Sequence, residues 1–456
     1  MPALSRLRPE LVATAAVGLP LVGSHLARMM IGVTDTLMVG RAGAEPLAAL
    51  VLANSYFFIL TMLGAGYGLG VLGLIAAARA RGDEAEVRRA TRMALWLSGL
   101  HALAVAPVLW WSGAILTALG QQPQIAALGQ DYLRVMVWAM PATLGGMVLN
   151  SFLAALGRAK VVLAITVAAI PLNAALNWAL IFGHAGFPAL GVTGAALASL
   201  AAMWAQMAAL AACAGLMAAA RPYQLFQRLW RADWVAFRAV LWLGLPISLT
   251  LVAESGMFTG ANVMMGWFGA VPLAAHGIAL QITAVTFMVH LGLSNAATIR
   301  IGGAHGAGDA GGMRGAAAAA IILSAGFALI AVTAFLAMPR LLTGLYLNPA
   351  DPQAPAIVAL AAGLMLYAAL FQVMDAMQVI ALGLLRGVQD TRRPMVLAIV
   401  SYWLVGLPAA WLLAFPLGMG PAGIWLGLLA GLSCAAAALM ARFWGRGRLR
   451  PGTTPA

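Results

Sequence analysis

Charge is what this chain has least of. Only 9% of its 456 residues are charged, against about 25% in an ordinary soluble domain. Acids are scarcer still, at thirteen Asp and Glu in all. Two cysteines, Cys213 and Cys434, both sit in apolar segments, so no disulfide or metal framework follows from them. The chain also lacks a His-Glu-x-x-His metalloprotease motif, and it has no clustered aspartates of the prenyl-transferase kind. The glycine-rich "GGAHGAGDAGG" (Gly302 to Gly312) lacks the Gly-Lys-Ser/Thr ending of a phosphate loop and reads as a connector. An intramembrane enzyme and an ATP-driven pump are therefore without their chemistry, and no cofactor is implied. His276 and His290 have no ligand-spaced companions and read as packing or hydrogen-bonding residues. Alternating segments of about ten residues, the mark of an outer-membrane barrel, are missing too. The apolar run after Arg6 and Arg8 is too long for a signal-peptide core and has no clear cleavage site.

Hydrophobic residues make up 63% of the chain. Apolar runs recur throughout, many exceeding the ~20 residues that span a bilayer. The fold class is an all-α polytopic membrane protein. Twelve spans are read, at 11–39, 47–78, 93–116, 131–156, 161–183, 190–219, 236–266, 272–300, 315–343, 356–386, 395–417 and 420–443. The net charge of +13 is explained by topology rather than by a nucleic-acid partner. Basic residues collect before the first span, after every even-numbered one, and in the closing "RFWGRGRLR"; only Arg41, Arg134 and Arg340 fall at the other side. By the positive-inside rule both termini are cytoplasmic.

A shift of 226 positions aligns the chain with itself without a gap. Gly18-Leu19-Pro20 meets Gly244-Leu245-Pro246, and "MVGRAGAEPLAA" (38–49) meets "MMGWFGAVPLAA" (264–275) with eight of twelve positions identical. Gly82-Asp83 likewise meets Gly308-Asp309. The chain is thus two six-helix lobes related by a parallel internal repeat, an arrangement typical of transporters. The lobes are 1–220 and 239–445, with a cytoplasmic basic linker at 221–238 and a cytoplasmic basic tail at 446–456. Gly66-xxx-Gly70 has the spacing of close helix packing. Pro20 and Pro246 stand at equivalent places where a helix can bend.

Ten acids lie in loops or at helix ends, leaving Asp35, Glu254 and Asp375 within spans one, seven and ten. A charge at mid-helix costs about 2.5–3.5 kcal/mol on insertion scales, so such residues face the interior and mark ion or proton paths. A structural salt bridge or hydrogen bond is the alternative for each. Glu254 and Asp375 together can bind sodium or share a proton. Asn173 and Asn177, four apart, share a helix face, with helix–helix hydrogen bonding as the alternative role. Arg28, two turns before Asp35, can partly neutralise it, snorkel, or pair with another helix.

These stretches resemble one family. "GVTDTLMVGRAGAEPLAAL" from Gly32 is similar to the first-helix signature of the multidrug and toxic compound extrusion (MATE) family. "FQVMDAMQVIALGLLRGVQDTRRP" (Phe371 to Pro394) resembles its tenth-helix region, and "PLNAALNWALIFG" (Pro171 to Gly183) its fifth helix. "AESGMF" with "GAVPLAAHGIALQ" resembles helices seven and eight. The acid pattern looks most like the NorM-type branch. The resemblance implies a monomeric antiporter of the bacterial inner membrane that exports lipophilic organic cations and drugs against sodium or protons. It implies that Glu254 and Asp375 are coupling-cation carboxylates, ligating the metal if sodium is the ion, and that Asp35 is the first-lobe acid. Asn177 stands where the other prokaryotic branch has an aspartate. Phe371 occupies the place of a tyrosine expected in sodium-coupled relatives, and Gln281 that of an asparagine. Arg28 is outside the pattern. Methionines such as Met257, Met288 and Met374 can adapt to substrates of varied shape. The nearest rival is a lipid-linked oligosaccharide flippase of the same superfamily, which needs several basic residues for its pyrophosphate. A channel is a further alternative, marked by ion current without drug exchange.

Overall fold

A computed structural model describes residues 2–348 and 351–445. The basic tail read at 446–456 lies outside the described residues. Among the described residues, twelve helices are long and apolar enough to cross a membrane. They are α1 (Leu7–Gly40), α2 (Ala44–Ala80), α3 (Glu84–Trp110), α4 (Pro123–Ala155), α5 (Ala159–Phe182) and α6 (Gly191–Leu216). The second set is α7 (Trp234–Gly266), α8 (Ala270–Gly306), α9 (Ala310–Ala337), α10 (Ala354–Gly387), α11 (Arg392–Ala414) and α12 (Pro421–Trp444). In a bilayer every backbone polar group must be satisfied within the chain, and helices do this segment by segment.

The repeat seen in the sequence is a repeat of helix ends. Both ends of α8 lie 226 residues beyond those of α2, and α9 begins 226 beyond α3. The local causes repeat with them. Gly43 (φ +136) and Gly269 (φ +105) open α2 and α8 with a backbone that L side chains rarely adopt. Asp83 caps α3 by accepting from Glu86 N at 2.8 Å, and Asp309 caps α9 by accepting from Gly312 N at 2.8 Å.

The third span differs most from its reading at 93–116. The Asp83 cap starts the helix at Glu84, well before the apolar run, and the run is broken at Trp111, after which Ser112–Ala118 forms a separate short helix. Hydropathy registers polarity, whereas the cap and the break are hydrogen-bonding events. The ninth span parts in the same way, with Pro339–Gly344 a separate short helix.

By internal contacts the chain forms two compact units, Gly23–Ser248 and Met1–Val22 with Leu249–Ala456. Both divisions fall inside a helix, two residues after Pro20 and Pro246, which are repeat equivalents. Each unit therefore includes the leading segment of the other half's first helix. In the first unit Gly66 N donates to Ser248 Oγ at 3.1 Å. A Cβ on Gly66 would lie 2.0 Å from the Gly244 carbonyl oxygen. In the second unit the equivalent Gly292 is as crowded, a Cβ there lying 2.6 Å from Val22 N. Gly66 is thus a close-packing residue. Arg300 further ties α8 to the leading segment of α1 through Glu10 and Thr14.

The linker segment is held to α3 within the first unit. Arg92 donates to the Gln227 and Arg228 carbonyls at 2.6 and 2.8 Å, and Trp96 Nε1 donates to the Leu229 carbonyl at 2.8 Å. α7 begins at Trp234, inside the segment read as linker.

Candidate functional site

The three intramembrane carboxylates occupy two centres, one in each unit. Asp35, near the end of α1, is buried. Its Oδ1 accepts from Asn177 Nδ2 at 2.6 Å and its Oδ2 from Ser199 Oγ at 2.9 Å. Asn177 Nδ2 also donates to Asn173 Oδ1, one turn earlier on α5, at 3.2 Å. The i, i+4 spacing on α5 thus delivers both asparagines to the acid, as the sequence spacing predicts. Ser199, supplied by α6, has no marker in the sequence beyond being polar in an apolar run.

Beside Asp35 lies a cavity of about 330 Å³. α1 lines it with Arg28, Ile31 and Asp35, an i, i+3, i+7 stripe. Opposite walls come from α2, α4, α5 and α6. The Tyr132 hydroxyl, on α4, donates to Asn54 Oδ1 at 3.0 Å at its edge. Five methionines line this cavity, namely Met62, Met136, Met147, Met203 and Met207, all in the first unit. The methionines singled out in the sequence, Met257, Met288 and Met374, are in the other half and do not line it.

The second centre is built from α7, α10 and α11. Glu254 and Asp375 are both buried and interact electrostatically with each other. Glu254 also interacts with the buried Arg386 of α10. The sequence reading put Arg386 at the last position of the tenth span and counted it with the basic residues of that side; the helix runs one residue further, to Gly387. Eleven residues make about three turns, so the spacing from Asp375 to Arg386 was the signal for a shared face. Gln378 Nε2 donates to the Tyr402 hydroxyl, and both side chains are fully buried. Tyr402 sits in a π-helical turn, Val400–Gly406, within α11. Such turns often mark functional sites. From the same turn Trp403 Nε1 donates to the Ala253 carbonyl at 3.0 Å, fixing α7 beside Glu254. Glu254 Oε1 and Gln378 Oε1 are buried without a hydrogen-bond partner among the described residues.

The remaining residues singled out in the sequence fall outside both centres' polar contacts. Phe371 is buried edge-on against Phe258 and Trp425. Gln281 is exposed on α8. His276 packs edge-on against Trp425. Among the described residues no three His, Cys, Asp or Glu side chains group as a metal cluster. Glu254, Asp375, Gln378 and Tyr402 supply hard oxygen atoms, the donor type that could hold a cation at this centre.

Twelve apolar helices in a duplicated six-helix plan, with buried carboxylates in both units, define a polytopic membrane transporter. The chain belongs to the MatE family, whose sequence model matches residues 20–179 and 246–412. The two matched segments begin 226 residues apart, in register with the repeat. It is 45% identical over 432 residues to the probable multidrug resistance protein NorM of Rhizobium meliloti (strain 1021), covering 95% of this chain and 92% of that protein. Its identity to the protein so named in Agrobacterium fabrum is 41% over 431 residues, covering 94% of this chain and 93% of that one. The fold matches the eukaryotic MATE transporter AtDTX14 with a TM-score of 0.87 at 18% identity, covering 97% of each chain. It also matches a multidrug resistance MATE transporter solved in an outward-facing conformation, with a TM-score of 0.87 at 22% identity and 96% of each chain covered. Family membership places the chain among transporters rather than enzymes.

Proposed function

We propose that this protein is a multidrug efflux antiporter of the bacterial inner membrane. It exports lipophilic organic cations in exchange for sodium or protons by alternating access, working as a monomer with both termini on the cytoplasmic side. The observation that carries this reading is the second centre. There Glu254 and Asp375 are both buried and interact, while among the described residues Glu254 Oε1 has no hydrogen-bond partner. With Arg386 the one cation among the described residues that interacts with Glu254, the two buried carboxylates keep a net negative charge unless a further cation or a proton joins them. Binding there can drive transport only if the two access states hold the ion differently. The relatives named multidrug resistance proteins support the substrate class.

The lipid-linked oligosaccharide flippase reading lacks support. A pyrophosphate calls for several basic side chains, and the one lining the cavity beside Asp35 is Arg28. Nor does any observation here favour a channel.

Ethidium efflux from cells expressing the wild type, Glu254→Gln and Asp375→Asn tests the proposal, with sodium and proton gradients imposed separately and expression matched. Efflux should follow one gradient in the wild type and fall to the vector background in both variants. Gradient-driven efflux that survives both substitutions would move the coupling site to Asp35. No dye movement in the wild type would return the flippase reading.

A further inference from the structure

The segment between the two halves carries four arginines and a single acid, Asp233, from Arg221 to Arg238. Its backbone is pinned to α3. Arg92 donates to the Gln227 and Arg228 carbonyls, Trp96 donates to the Leu229 carbonyl, and Asp233 N meets Met93 Sδ at 3.4 Å. Arg228 is held at φ +52, a left-handed backbone that residues other than glycine rarely adopt. What the pinned backbone presents outward is charge and aromatic surface. Trp230 is 78% exposed and Trp234 63%, with Arg228 and Arg231 exposed beside them. Arg231 and Arg88, the latter one turn before Arg92 on α3, both act electrostatically on Arg92. Like charges are thus gathered from two segments. Asp233, the acid in reach of Arg92, is already engaged, with Arg89 at 3.7 Å and with the Ala236 N–H at 3.0 Å at the start of α7. Arg88, Arg228 and Arg231 take part in none of the salt bridges found among the described residues.

Location decides which anion these arginines meet. α6 ends at Leu216 and α7 begins at Trp234, so the segment joins the ends of two membrane helices and lies at the bilayer surface, level with the charged start of α3. Exposed tryptophans at helix ends seat in the interfacial layer of a membrane, and the anions held at that level are lipid phosphates. We propose that this segment and the start of α3 form a docking surface for anionic phospholipid, in which Arg88, Arg228 and Arg231 take the headgroup phosphates while Trp230 and Trp234 seat in the interfacial layer. Guanidinium suits the task because it presents paired donors to a phosphate and keeps its charge. A headgroup with two phosphates, as in cardiolipin, meets arginines of both segments at once. The positive-inside rule accounts for arginines at this end of the helices, yet not for their convergence on one another around a pinned backbone beside two exposed tryptophans. The inference goes beyond the efflux reading and does not rest on it.

Native mass spectrometry of the purified protein in detergent reads lipid binding, with tetraoleoyl cardiolipin and dioleoylphosphatidylcholine as probes. The wild type should bind cardiolipin at least about tenfold more tightly than phosphatidylcholine. Arg228→Gln with Arg231→Gln should lower cardiolipin affinity about twenty-five-fold, roughly fivefold for each arginine near a membrane surface. The same pair should leave phosphatidylcholine binding within about twofold, which also shows that the variant is folded. Arg228→Lys with Arg231→Lys should give an intermediate affinity, since it keeps the charge and loses the paired donors. Arg41→Gln with Arg340→Gln removes the same charge from the other side of the membrane and should change cardiolipin affinity by no more than about twofold. No preference for cardiolipin in the wild type overturns the proposal, as does an equal loss in the Arg41 and Arg340 pair. Displacement of cardiolipin by inorganic pyrophosphate at equal concentration overturns it as well, since the surface would then hold a soluble anion rather than a lipid.

Discussion

The two halves of this protein share a helix plan and differ in how each keeps a buried carboxylate. In the first unit Asp35 is held by neutral donors, Asn177 at 2.6 Å and Ser199 at 2.9 Å. In the second, Glu254 has a second acid and a buried cation within electrostatic reach, Asp375 and Arg386, and an oxygen with no hydrogen-bond partner among the described residues. One centre holds its acid with neutral donors, and the other sets a second acid and a cation beside it. Duplication fixed where helices begin, end and touch; it left the chemistry of each half free to diverge. Asp35 has no counterpart across the repeat, since Ala261 stands 226 residues on, and Glu254 stands opposite Arg28.

The largest effect expected from this difference is at Arg386. Removing one member of a buried charge set leaves the others uncompensated, at a cost of about 3–5 kcal/mol. Arg386→Met should therefore unfold at much lower denaturant than the wild type, and Arg386→Met with Glu254→Gln should recover most of that loss. Asp35→Asn should need no such partner substitution, because its neighbours are neutral donors. Denaturant unfolding in detergent reads all three variants. A double variant no more stable than Arg386→Met alone breaks the contrast between the centres.

Arg386 also marks what the sequence made legible. The twelve spans and the repeat could be read because apolar runs and glycine–proline landmarks are local signals. Asp35, Glu254 and Asp375 stood out because acids are rare here and costly in a bilayer. Arg386 did not, because it closes the tenth span as read and was counted with the basic residues that set topology. Its side chain is buried and interacts with Glu254, which only the packing of α10 beside α7 makes visible. Tyr402 and Ser199 were missed for another reason. Hydroxyls are cheap in a membrane helix, so nothing separates a site hydroxyl from one bonded to its own backbone, as Thr36 is to the Gly32 carbonyl. Arg28 was visible as an oddity, and the structure places it on the wall of the cavity beside Asp35.

An intermediate effect tests the shared plan itself. Gly66 and Gly292 are repeat equivalents, each with main-chain atoms of another helix where a Cβ would stand. Gly66→Ala and Gly292→Ala should each destabilise by about 1–3 kcal/mol, the usual range for overpacking. The same unfolding measurement compares them. If one substitution is silent and the other costly, the packing is not equivalent and the repeat ends at the level of helix boundaries.

The smallest effect concerns the donors on Asp35. Ser199→Ala removes one hydrogen bond and leaves the shorter Asn177 contact in place, so it should cost about 1 kcal/mol. Asn177→Ala should cost more, since its Nδ2 serves both Asp35 and Asn173. A double-mutant cycle pairing Ser199→Ala with Asp35→Asn isolates the contact from the general loss of packing. Coupling of at least about 0.5 kcal/mol is expected, because Ser199 then acts through the carboxylate. Zero coupling would mean that Ser199 is an ordinary helix-packing hydroxyl. The dipole-held description of the first centre would then rest on Asn177 alone, and the contrast with the charged second centre would narrow to a single amide.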